Sequence, residues 1–138
     1  EAIRVGSECL GYRTRLSNRA ISRIYDRHLQ AAGFKGPQFT LMGVIIAKEK
    51  ISAASLTKIL DMEKSTASRN LKRLMDKKWI TTAETNPGRE ELLSATGKGR
   101  RAFVKAMPLW EAAQTEVSRL VGSEGKDHIH GIFEKIRK

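Results

Sequence analysis

Residues 63–79, EKSTASRNLKRLMDKKW, restrict the fold more than any other stretch of the chain. Wound at about 3.6 residues per turn, Ala67, Leu71 and Leu74 share one face, at i, i+4 and i+7. The remaining surface carries Ser65, Thr66, Ser68, Arg69, Lys72 and Arg73. Such a helix must lay a narrow apolar edge on a core and leave a hydroxyl-rich start and a basic second turn in solvent. That pattern suits a helix entering a DNA major groove N-terminus first. Hydroxyls and guanidinium groups then reach base edges, and the positive end of the helix dipole meets phosphate. It suits the solvated face of an ordinary amphipathic helix equally well, so the flanking sequence has to decide.

Upstream, Ser52 is placed to N-cap a short helix running to about Leu60, with Leu56, Ile59 and Leu60 inward. Asp61-Met62 forms the turn, and Glu63 starts the next helix. Two helices joined this tightly, the second polar and basic at its start, make a helix-turn-helix. Downstream the period changes to two. Ile80–Thr85 and Glu91–Ala95 read as strands around Asn86-Pro87-Gly88-Arg89, a turn with arginine at its tip. A hairpin there is a wing, whose arginine can enter a narrow minor groove. Arg89 is otherwise a solvated turn residue; the preceding helix favours the groove.

Residues 3–32 read as one long helix, with Cys9, Tyr12, Leu16, Ala20 and Ile24 in a stripe and Leu10 and Ile21 beside it. Gly33 ends it. A helix of that length extends about 42 Å, more than a small globule uses, and a second subunit is its simplest partner. Gly36-Pro37 restarts the chain into a core helix carrying Phe39, Leu41, Met42, Val44, Ile45 and Ile46. Thr96 caps a helix striped by Phe103, Met107, Trp110, Ala113, Val117 and Leu120, with a kink expected at Pro108. Gly122-Ser123 breaks it before a last helix striped by Ile129, Ile132, Phe133 and Ile136 and closed by Arg137-Lys138. The predicted fold class is mainly α with a small β-hairpin wing. A winged helix-turn-helix lobe at 36–96 and a helical lobe from 1–35 and 97–138 form a single domain.

The chain holds 26 Lys+Arg against 15 Asp+Glu, a formal net charge of +11, which favours a polyanionic partner. The longest apolar run, residues 41–47, is too short to span a bilayer, and no signal-peptide pattern opens the chain, so no membrane partner is expected. A single cysteine, Cys9, excludes an intrachain disulfide framework and fits a reducing cytoplasm. Catalytic constellations are missing. His28 is isolated, and His128 and His130 at i and i+2 point to different sides of a helix. Asp127 has no nucleophile nearby in sequence, and Gly97-Lys98-Gly99-Arg100 lacks the spacing of a phosphate-cradling loop. No enzyme, metal or cofactor is expected.

In its order of elements the chain resembles MarR-type winged helix-turn-helix regulators. The resemblance is carried by Leu10-Gly11-Tyr12-Arg13, Ile24-Tyr25-Asp26 and Gln38-Phe39-Thr40-Leu41. More specific are Met62-Glu63-Lys64-Ser65-Thr66-Ala67-Ser68-Arg69 and Leu92-Leu93-Ser94-Ala95-Thr96-Gly97-Lys98-Gly99-Arg100. It implies a homodimer whose terminal helices intertwine, binding a pseudo-palindromic operator in double-stranded DNA as a repressor. Ser65, Thr66 and Arg69 would face bases, with Ser68 beside them. Lys64, Lys72 and Arg73 would hold phosphates, and Arg89 would clamp the minor groove. One departure stands out: family wings carry an Asp two residues before that arginine, where this chain has Pro87 followed by Gly88. The resemblance also implies a small aromatic or phenolic effector in a cleft between the lobes. Tyr12, Arg13, Phe39 and Trp110 are candidates to line it, although aromatics at helical spacing more often belong to a core. Other relatives sense oxidants through an N-terminal cysteine; Cys9, on the apolar stripe beside Glu8, is expected to be buried and structural. A nonspecific architectural nucleic-acid-binding protein, or an interaction module on the same fold, would use the same basic surface.

Overall fold

The computed structural model describes residues 1–137, apart from the side chains of Ala83 and Glu84. In chain order the elements are α1 (Ala2–Glu8), α2 (Leu10–Leu29), a 3-10 turn (Gln30–Ala32), α3 (Gly36–Lys48), β1 (Ile51–Ser52), α4 (Ala53–Leu60), α5 (Lys64–Asp76), β2 (Ile80–Thr85), β3 (Glu91–Ala95) and α6 (Gly97–Ile136). They fall into two compact units, one of residues 31–107 and one of residues 1–30 with the chain from Pro108 onward.

In the unit of residues 31–107, α3 supplies the core with Phe39, Leu41, Met42 and Ile45. Pro37 sits in its first turn, where a missing N–H is no loss. Aromatic rings extend this core. Phe34 meets Phe39 edge-on at 5.5 Å, and Phe39 stacks on Phe103 at 4.5 Å with an interplanar angle of 11°. Ser52 caps α4 as expected, its Oγ accepting from the Ser55 N–H at 3.2 Å. Leu56 is fully buried, but Ile59, expected inward, is 52 % exposed. A helix of two turns has room for one apolar edge, and Leu56 at its centre occupies it.

Both helices of the helix-turn-helix end by the same device. At the end of α4 the Met62 N–H donates to the Thr57 carbonyl at 3.0 Å, with Asp61 at φ +48°. At the end of α5 the Trp79 N–H donates to Leu74 at 3.0 Å and the Lys78 N–H to Met75 at 2.9 Å, with Lys78 at φ +60°. These are Schellman closures, which turn the chain sharply while satisfying the last carbonyls.

The strands β2 and β3 have the bounds their period predicts. They are joined by a third strand that the sequence did not reveal, β1, giving the antiparallel order β1-β3-β2. Ile51 pairs with Leu93 and Ser52 with Leu92, so Ser52 is at once strand and cap. Two residues are too few to display a period. Thr96 then ties the sheet to α6. Its N–H donates to the Trp79 carbonyl at 2.9 Å, its hydroxyl donates to Lys78 at 2.7 Å, and that oxygen accepts from the Gly99 N–H at 3.0 Å.

In the other unit, the helix expected over residues 3–32 is interrupted. Cys9 is extended, with ψ 111°, and separates α1 from α2. Gly6 and Gly11, weak helix formers, flank the break, and α1 buries no residue that would hold it in line. Cys9 is half-exposed at this junction rather than buried. Downstream, the 3-10 turn leads to Gly33 at φ +80°, the stop its sequence predicts. Tyr25 donates to Gln114, Arg27 pairs with Glu116, and His28 Nε2 lies 3.2 Å from Glu116 Oε1. The His28 hydrogen bond, with help from Arg27, holds the Glu116 carboxyl below its ordinary range. Helix α6 runs on through Pro108 and is broken at Gly122, φ +75°, where the Gly122-Ser123 pair predicts a break. Lys138 lies outside the described residues. Among the described residues no helix is long and apolar enough to cross a membrane.

Candidate nucleic-acid interface

The orientation of α5 follows from its inward edge. Ala67, Leu71 and Leu74 are buried, as their spacing predicts. Lys64, Ser65, Ser68, Arg69, Lys72 and Arg73 are consequently exposed, and Thr66 is half-exposed. The first bond of the helix runs from the Ala67 N–H to the Glu63 carbonyl at 2.9 Å, and the Glu63 side chain makes no cap bond. The amides of Lys64, Ser65 and Thr66 therefore stand at the positive end of the helix without intrahelical partners, an anion-seeking arrangement. Arg69 Nη2 reaches the Thr66 hydroxyl at 3.4 Å, which gathers these two candidate base readers on one turn. Lys72 instead pairs with Asp76 at 3.2 Å across exposed helix surface. A pair of that kind is worth only about 0.3–0.5 kcal/mol, so a phosphate can displace it.

Two residues absent from the sequence-derived site join it here. Asn70 and Gln38 are 8 % and 4 % exposed, buried in a largely apolar interior. Gln38 Nε2 lies 3.5 Å from Asn70 Oδ1, and Asn70 Nδ2 donates to the Thr66 carbonyl at 3.0 Å. The readable signal was Asn70 itself, a polar residue on the side of α5 that Ala67 and Leu74 turn inward.

The wing tip is a compact loop. The Arg89 N–H donates to the Asn86 carbonyl at 2.9 Å, and the Asn86 side-chain oxygen accepts from the Glu90 N–H at 2.9 Å. Arg89 is exposed and adopts φ +62°, the left-handed conformation that favours glycine. The neighbouring carboxylate of Glu90 is engaged by Asn86 Nδ2 at 3.1 Å. Behind α5, a groove of about 540 Å³ separates the helix from α4 and the sheet. Ala67, Leu71 and Leu93 contribute to its lining, with Lys64 and Lys72.

The candidate effector residues are distributed differently. Tyr12 and Arg13 are exposed neighbours on α2, Arg13 donating to the Ser7 carbonyl at 3.4 Å, and Trp110 is half-buried on α6. Phe39 is a core residue in contact with Phe34 and Phe103. Among the described residues no three His, Cys, Asp or Glu side chains gather as a metal site.

The family model of the MarR family matches residues 32–90. No curated protein sequence matches the chain. Among solved structures, the M. tuberculosis transcriptional regulator MosR is 30 % identical, with a TM-score of 0.79 over 93 % of this chain and 95 % of its own. A MosR complex with DNA matches at 29 % identity and the same TM-score, over 93 % and 96 %. A mutant of E. coli MarR complexed with operator DNA gives a TM-score of 0.83 over 98 % of both chains at 20 % identity, a likeness of fold.

Proposed function

The chain belongs to the MarR family of DNA-binding transcriptional regulators, and we propose that it binds a pseudo-palindromic operator as a homodimer and represses by covering a promoter. The observation that carries this reading is the outward face of α5: a free helix N-terminus, Ser65 and Thr66 on the first turn, and Arg69 resting on Thr66. Each recognition helix would read one half-site. Lys64, Ser68, Lys72 and Arg73 would contact the flanking backbone, and Arg89 would enter the minor groove. The DNA complexes of MosR and MarR support a duplex as the partner.

Dimerisation is supported by the apolar surface of the unit built from the chain ends. Leu10 is 81 % exposed and Leu120 65 % exposed, and Ile129, Ile132, Phe133 and Ile136 are exposed with them. Single chains rarely leave so much apolar surface in water, and a second copy would cover it. A small aromatic or phenolic effector, acting in the cytoplasm, would shift the spacing of the two recognition helices. The exposed Tyr12 ring and Arg13 guanidinium would meet it, with Trp110 from α6, whereas Phe39 would contribute only through the core it packs in.

The test is Arg69→Ala. Discrimination should relax at one base pair in each half-site, at a cost of about 1–3 kcal/mol per contact. Equal losses on preferred and random duplexes would rule out base reading by Arg69.

A further inference from the structure

The buried amides of Gln38 and Asn70 form a relay whose direction is fixed at both ends. At one end the Lys35 N–H, which can only donate, points at Gln38 Oε1 at 3.2 Å. Gln38 must therefore present its Nε2 to Asn70, and Asn70 must answer with Oδ1, at 3.5 Å. That leaves Asn70 Nδ2 to donate to the Thr66 carbonyl, which can only accept, at 3.0 Å. Reversing either amide would set donor against donor or acceptor against acceptor in a site nearly closed to water. With this single orientation, no buried side-chain nitrogen or oxygen among the described residues lacks a partner.

The burial of Ala67, Leu71 and Leu74 that holds α5 on its core is non-directional, whereas the Gln38–Asn70 bond between α3 and α5 has a direction and a register. If α5 rotated, Asn70 Oδ1 would be left unpaired where water cannot replace its partner. The relay ends on the backbone of Thr66, in the turn that carries Ser65, Thr66 and Arg69. We propose that Gln38 and Asn70 are positioning residues that set the rotational register of the recognition helix, and thereby the operator specificity, while touching no DNA themselves. This rests on the operator-binding reading given above and assigns specificity to residues outside the DNA surface.

The experiment begins with the full chain and the duplex that the wild type enriches from a randomised library, measured against a scrambled duplex over a salt series. Gln38→Met with Asn70→Leu replaces both amides by apolar groups of similar size, which leaves no side-chain polar atom stranded and frees only the N–H of the exposed Lys35, which water can reach. The double variant should keep its thermal midpoint within a few degrees, its scrambled-duplex affinity and its salt slope, and lose about tenfold or more of its preference for the enriched duplex. Asn70→Ser is a second variant that breaks the link at one point, leaving Gln38 Nε2 without its acceptor. Its hydroxyl still reaches the Thr66 carbonyl but not Gln38, and it should lose preference in the same direction, so the outcome does not depend on the double variant folding. Preference retained by either folded variant would overturn the positioning role alone. A wild type that enriches no duplex would remove the operator reading, and this role with it.

Discussion

Gly99 and Trp79 meet backbone to backbone: a Cβ on Gly99 would stand 2.0 Å from the Trp79 carbonyl oxygen and 2.8 Å from its carbonyl carbon. The first turn of α6 is thus pressed onto the end of the helix-turn-helix, where Thr96 also bonds Trp79 and Lys78. Backbone cannot step aside as a flexible side chain can. Gly99→Ala should therefore cost at least about 1–3 kcal/mol in denaturant unfolding. Gly97→Ala is the control, because its Cβ would meet only the mobile end of Arg101, at 3.2 Å, and its stability should hardly change.

Lys78 occupies the left-handed position of the closure after α5, at φ +60°, where glycine is the unstrained residue. Lys78→Gly should raise stability by about 1 kcal/mol by removing the clash of Cβ with the following carbonyl. Denaturant midpoints at constant m-value check this. A destabilised variant would contradict the strain.

Arg89 combines a strained backbone with a proposed role in DNA, so two substitutions separate the effects. Arg89→Gly relaxes φ +62° and should leave the fold as stable as the wild type or slightly more so. Arg89→Ala keeps the strain. Both should weaken duplex binding by about 1–3 kcal/mol, because both remove the guanidinium. Binding by the glycine variant at wild-type strength would exclude Arg89 from the minor groove.

Glu116 joins α6 to α2 through His28 and Arg27, and these partners hold its carboxyl below its ordinary value of about 4.5. A folded pKa depressed below the unfolded one means that the unfolded chain binds more protons between the two. The stabilisation is therefore complete above about pH 4.5 and is lost as the pH falls through the lower, folded value. Glu116→Gln should be less stable than the wild type at neutral pH, and the two should converge in acid. A difference that persists unchanged below the carboxylate range would assign the loss to packing.

The helix-turn-helix and wing were legible in sequence because their signals are dense. Ala67, Leu71 and Leu74 fix the inner edge of α5, and the period change after Trp79 locates β2 and β3. The break at Cys9 was not legible: an apolar stripe continues across it, and two glycines lower helix propensity without naming the residue that leaves the helix. Strand β1 is invisible because Ile51 and Ser52 are too few to show a period and acquire their role only by pairing with Leu93 and Leu92. Ile59 went astray because apolar spacing in a two-turn helix outnumbers the neighbours available to bury it. Gln38 and Asn70 escaped for a different reason. Gln38 looks like a surface amide in its own helix, and although Asn70 lies on the inward side of α5, only their meeting 32 positions apart makes them a buried pair.

The most direct measurement is equilibrium binding of the full chain to the DNA immediately upstream of its own coding region, against a scrambled duplex, over a salt series. A preference of about a thousandfold or more, with two chains per site, is the result expected of a dimer that reads sequence through α5. Equal affinity for both duplexes with the same salt slope would contradict it and leave a basic surface that holds phosphate without reading bases.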